Sequence, residues 1–209
     1  NTALGFGALQ SLTNSNGFNV AIGAYAMNSS TNVNRNVAIG YEALRFNSNS
    51  DNIAIGSNAS RNNNGGTRNL AIGTGALFTN TNQSDMLAIG YQALYGGGTA
   101  NASGAVALGN YALRSITDGS GSVAIGNEAL RATTTGTNNV ALGRSAGYAD
   151  SAGSATNANT SGNHNTFLGS FARPGTSTQL TYATALGANA LVSTNNTLAL
   201  GRAATDQVV

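Results

Sequence analysis

Seven carboxylates, nine guanidinium groups and one imidazole are the groups in this 209-residue chain with the chemistry for a site. The carboxylates are Glu42, Asp51, Asp85, Asp118, Glu128, Asp150 and Asp206. General acid and base work needs two of them about 5 to 9.5 Å apart. Asp51 and Asp85 each stand just before a copy of a repeated motif, two copies apart. Stacked copies would hold them roughly 10 Å from each other. The plain reading is loop capping or exposure to water. His164, alone in SGNHN, reads as a solvated loop residue. There is no nucleophile motif, no phosphate loop and no His cluster. No catalytic residue, cofactor site or metal site is assigned, and the expectation is a protein that is not an enzyme.

A second pattern does recur. Five residues after the motif glycine stand Arg45, Arg61, Arg114 and Arg131, with Phe78, Tyr95 and Tyr148 at equivalent places. Guanidinium groups bind acidic groups and aromatic rings stack on the apolar face of a sugar. Arg45, Arg61, Tyr95, Arg114, Arg131 and Tyr148 are therefore candidate receptor or glycan contacts. The competing reading is structural: Arg satisfies loop carbonyls and aromatics cover the edge of the fold.

The motif itself explains why these residues line up. NVAIGAYAM, NVAIGYEAL and NLAIGTGAL begin at Asn19, Asn36 and Asn69. Aligned on glycine, the motif occurs at Gly5, Gly23, Gly40, Gly56, Gly73, Gly90, Gly109, Gly126, Gly143, Gly169, Gly187 and Gly201. Most steps are 16 to 19 residues; the exceptions are 26 and 14. Ile or Leu precedes every glycine, as Ile39 and Ile72 do, and Ala follows three residues later, as at Ala43, Ala76 and Ala93. Ala also stands two residues before the glycine except at Phe167. Periods this short mean a solenoid.

Val37, Ala38, Ile39 and Gly40 alternate large and small, which is a strand period. Glycine then turns the chain, the following Ala-Leu reads as a second short strand, and a loop of Asn, Ser, Thr and Gly returns it. The expected fold is all-β: a parallel β-roll of about twelve coils in one domain over residues 1–209, forming a rod about 55 Å long. The large residues call for a core, and the face of Ala38 and Gly40 allows another backbone close approach. A thin roll buries little and gains stability if copies pack along that small face, so a cyclic oligomer is expected whichever face points inward. Asn opens seven copies, which suits stacked side-chain ladders. Phe167 in place of Ala should widen or shift the roll. Residues 147–164 form the one large insertion and are expected to project, as recognition loops do.

Composition excludes other classes. Charged residues are 8%, against roughly 25% in ordinary soluble domains. The net charge of +2 is too small for a counterion-driven nucleic-acid binder. The longest apolar run is far short of the about 20 residues of a membrane span. There is no cysteine, and no signal peptide is visible. The Asp column of calcium-binding nonapeptides is missing. Asn-x-Ser/Thr triplets, as at Asn58 and Asn101, are expected by chance in such a composition.

NVAIGYEAL, NIAIGSNAS and SVAIGNEAL resemble the head repeat of trimeric autotransporter adhesins. That resemblance implies a left-handed parallel β-roll and a homotrimer; similar rolls occur in bacteriophage tail fibres and spikes. The adhesin repeat is shorter, and only the step from Gly187 to Gly201 has its length. The ending TLALGRAATDQVV looks like the close of such rolls in phage fibres and lacks an adhesin-type neck. The resemblance thus implies a virion tail fibre that binds a host receptor or glycan, with two identical chains as partners and neither nucleic acid nor membrane insertion. The alternative is an adhesin head on a bacterial surface. A polysaccharide-degrading tailspike lacks its clustered acids, and ice binding lacks a regular Thr array.

Overall fold

The computed structural model describes residues 1–13, 17–96 and 102–202. Asn101, Ala204 and Asp206 lie outside them. The described residues contain strands and turns and no helix. Twelve three-residue strands, from Thr2–Leu4 to Leu198–Leu200, form one sheet in chain order. Every neighbouring pair is parallel and in register: Val37 faces Ile53, Ala38 faces Ala54, Ile39 faces Ile55. The chain is a parallel β-solenoid of about eleven turns.

The glycine that ends each strand is set by close stacking. At Gly40 φ is +133°, and a Cβ there would lie 2.6 Å from the backbone of Gly56. The same relation joins Gly23 to Gly40, Gly56 to Gly73 and Gly73 to Gly90. No other residue fits both the dihedral and the gap.

Three expectations are corrected. The Ala of each strand, not the large residues, points into the roll. Ala21, Ala38, Ala54, Ala71 and Ala88 are fully buried, as are Ala43, Ala76 and Ala93 across the turn. The Leu or Met after each of these turn alanines joins them where present, as Met27, Leu44, Leu77 and Leu94 do. The coil is narrow, so two walls of Ala and one column of Leu fill it. The large strand residues are turned outward. Ile39 and Ile72 are half-buried, and Ile53, Leu142 and Leu198 are 40%, 48% and 59% exposed. The outward apolar face is thus the large one.

At the Ala-Leu place itself the expected second strand is described only where Arg173–Pro174 pairs with Leu191–Val192; in two earlier coils a short pair forms further on, Asn62–Asn63 with Thr79–Asn80. In nine earlier coils the residue at the Leu place has a positive φ, from 46° at Ser60 to 69° at Gly147. It makes a turn instead. Among the described residues, the residue two after each motif glycine is also left-handed, as at Tyr25, Glu42 and Tyr111. Such backbone costs roughly 1 to 2 kcal/mol per residue. Coil-to-coil hydrogen bonds offset it: Glu42 N–H donates to Ala24 O at 3.0 Å, and Leu44 N–H to Ala59 O at 3.1 Å.

Asparagine ladders run inside the stack. Asn36, Asn52 and Asn69 are buried. Asn52 N–H donates to Asn36 Oδ1 at 2.9 Å, Asn69 N–H to Asn52 Oδ1 at 3.1 Å, and Met86 N–H to Asn69 Oδ1 at 3.1 Å. A second ladder, not foreseen, joins Asn47, Asn63 and Asn80 through 2.7 Å amide contacts. Its signal was the spacing of 16 and 17 residues within the polar return loop.

The insertion is exposed over residues 151–154 and is stapled by Asp150, whose Oδ1 accepts from Ala152 N–H and Ser154 N–H at 3.0 and 2.8 Å. Asn159 is buried again, and Thr160 O accepts from Thr134 N–H at 2.8 Å. Phe167 does not shift the sheet. It pairs in register with Ala141 and Ala185.

Candidate functional site

The column five residues after the glycine lies on the turn, beside the left-handed residues two after it. Because successive coils stack, residues far apart in sequence interleave. Arg45 lies over the rings of Tyr25 and Phe46, at 5.4 and 4.9 Å. Arg61 lies over Phe46 and Phe78, at 5.0 and 5.8 Å. Phe78 and Tyr95 are stacked, with centroids 5.0 Å apart. Arg114 lies over Tyr95 at 5.4 Å, and Arg131 over Tyr111 and Tyr148 at 5.0 and 5.5 Å. The fold thus aligns all six candidate contacts, Arg45, Arg61, Tyr95, Arg114, Arg131 and Tyr148, on one face.

Their charges are already engaged. Glu42, 7% exposed, accepts from both Arg45 and Arg61. Arg131 pairs with Glu128, and Arg114 Nε donates to Gln92 Oε1 at 2.8 Å. Burial alone would raise the Glu42 carboxyl. The hydrogen bond from Arg61 and the charges of Arg61 and Arg45 outweigh it, so the carboxyl titrates below its usual range. The sequence reading missed Glu42, Phe46, Tyr25 and Tyr111 as members of this face. The signal was present in part: Glu42 and Glu128 each stand three residues before an Arg of the column.

A different column stands five residues before the glycine, two residues before each strand, with exposed side chains. It reads Arg35, Asp51, Arg68, Asp85 in successive coils. Arg35 makes a bidentate pair with Asp51 at 2.6 and 3.0 Å, and Arg68 with Asp85 at 2.6 and 2.9 Å. Asp51 and Asp85 are therefore separated by Arg68 and do not form a catalytic dyad. Each carboxyl titrates below its usual range because of its arginine hydrogen bond. Further along, His164 occupies the same column, stacked on Tyr182 with centroids 4.7 Å apart and 3.4 Å from Asn138 Nδ2.

Among the described residues, no group of three His, Asp or Glu is placed to hold a metal, and no helix is long and apolar enough to cross a membrane. No family model, curated protein or solved structure matches the chain.

Proposed function

We propose that this chain is a non-enzymatic attachment fibre, in which three copies pack side by side and hold a host-binding face along a stiff rod. One observation carries the reading. The interior is filled by Ala and Leu of one chain, while Val, Ile and Leu of the sheet remain turned outward along the whole stack. A contiguous apolar face on a soluble rod is a protein-contact surface. Identical coils offer identical faces, so a closed ring of copies is the natural partner. The Arg and Asp ladder beside that face gives it a polar rim.

Repeated contacts along a rod and across three chains raise avidity without strong single sites. The Arg–aromatic face is the candidate contact with a cell-surface receptor or glycan. A bacteriophage tail fibre and virion location are the reading preferred here. A bacterial adhesin head is the second, favoured by the 14-residue step from Gly187 to Gly201.

Sedimentation of the purified chain tests the assembly, and binding of labelled protein to bacterial cells tests attachment. The expected result is a three-copy species that binds cells. Ile53→Glu with Leu142→Glu should leave the β spectrum and yield single chains. A parent chain that sediments as a monomer would overturn the proposal.

A further inference from the structure

Beside the Arg–aromatic face, on the return loops, lies an open trough of about 460 Å³. It spans four successive coils, roughly 14 Å along the rod at the strand spacing. Its lining is a grid. One column, six residues after the glycine, holds Ser29, Phe46, Asn62 and Thr79; the next, two residues on, includes Thr31 and Thr81. Asn62 pairs in register with Thr79, which fixes that part of the grid as local strand. No acidic or basic side chain lines the trough. Its one large apolar group is Phe46, 39% exposed, with the guanidinium groups of Arg45 and Arg61 over its ring.

We infer that this trough is a binding site for a neutral polysaccharide strand. The inference rests on the attachment reading and names its ligand class. Hydroxyl and amide groups both donate and accept, which matches a ligand that is itself a run of hydroxyls. The part of the Phe46 ring that the two guanidinium groups leave exposed offers an apolar contact for the C–H groups of one sugar, with the polar groups around it setting orientation. The repeat of these groups along the rod suits a ligand that also repeats. A peptide partner would ask for apolar anchor pockets, which the lining lacks. An acidic polymer would ask for an unpaired cation, and the two guanidinium groups over Phe46 are both paired with Glu42, Arg61 also donating to Asn62 Oδ1 at 3.2 Å.

The test uses the full chain over immobilised dextran, mannan, galactan and polygalacturonate. At least one neutral polymer should retain it, and added salt should not release it. Thr79→Val keeps the shape and removes a hydroxyl; it should weaken retention about tenfold with the melting temperature unchanged. Phe46→Ala should weaken it further. The inference falls if no neutral polymer is retained, if only polygalacturonate binds and salt releases it, or if both variants bind like the parent. Cell attachment separates the two proposals. Attachment without neutral-polymer binding overturns the trough and leaves the fibre. Salt-resistant polymer binding that both variants weaken, without attachment, supports the trough and counts against the host-binding role.

Discussion

Phe167 packs against Gly147 from the next coil and fills space that a longer side chain at residue 147 would need. A Cβ at Gly147 would come within 2.9 Å of the Phe167 ring and 2.6 Å of Leu130. Eight other coils carry Leu or Met at the place of Gly147, and eleven carry Ala at the place of Phe167. Large and small have traded places across adjacent coils, which is why the sheet keeps its register. Phe167→Ala should lose about 3 to 5 kcal/mol of stability by opening a cavity. Gly147→Leu alone should also destabilise, because φ is +69° and the space is taken. The double variant should recover part of the loss; calorimetric unfolding of the three proteins checks the coupling.

The motif glycines and the insertion glycine should respond differently. Gly73→Ala sets a Cβ 2.5 Å from the carbonyl oxygen of Gly90 at φ +127°. That should cost about 3 kcal/mol or more, since neither the backbone nor the stack can yield. Gly153 has φ +86° and nothing within 4 Å of an added Cβ. Gly153→Ala should cost about 1 kcal/mol. Equal melting temperatures for the two variants would contradict the stacking account.

Acid should weaken the rod through Glu42. Its folded carboxyl binds a proton less readily than the unfolded one. The stabilisation is therefore fully present above the unfolded value, about 4.3, and fades as pH falls through the lower folded value. Glu42→Gln should lower the melting temperature at pH 7 and flatten its dependence on pH below about 4.3. An unchanged acid slope in that variant would show that other carboxylates carry it.

The buried ladder should be intolerant of apolar replacement. Asn69 accepts from Met86 N–H, and its Nδ2 donates to Gln83 O at 2.9 Å. Asn69→Leu strands both groups away from water and should cost about 2 to 5 kcal/mol. Asn49→Leu, in a half-buried return loop, should cost less than about 1 kcal/mol. Chemical denaturation of both variants gives the comparison.

The repeat was legible in the letters alone because stacking demands identity. Glycine recurs where each coil's backbone touches the next, and Ala recurs where the interior is narrow. Those two columns establish coil number, parallel pairing and register before any coordinate is known. The asparagines at 36, 52 and 69 were legible for the same reason. The direction of the strand's two faces was not. Val37, Ala38 and Ile39 alternate equally well with either face inward, and apolar size argued for the wrong one. Only the closed coil decides, because Ala43 and Leu44 on the opposite wall leave no width for Ile39 inside. The arginine column was visible, but its partners were not. Arg61 meets Glu42 across a coil boundary, 19 residues back in the chain. Period along the sequence sets which residues share a column; the path of the turn between columns sets which columns touch, and that path exists only in three dimensions.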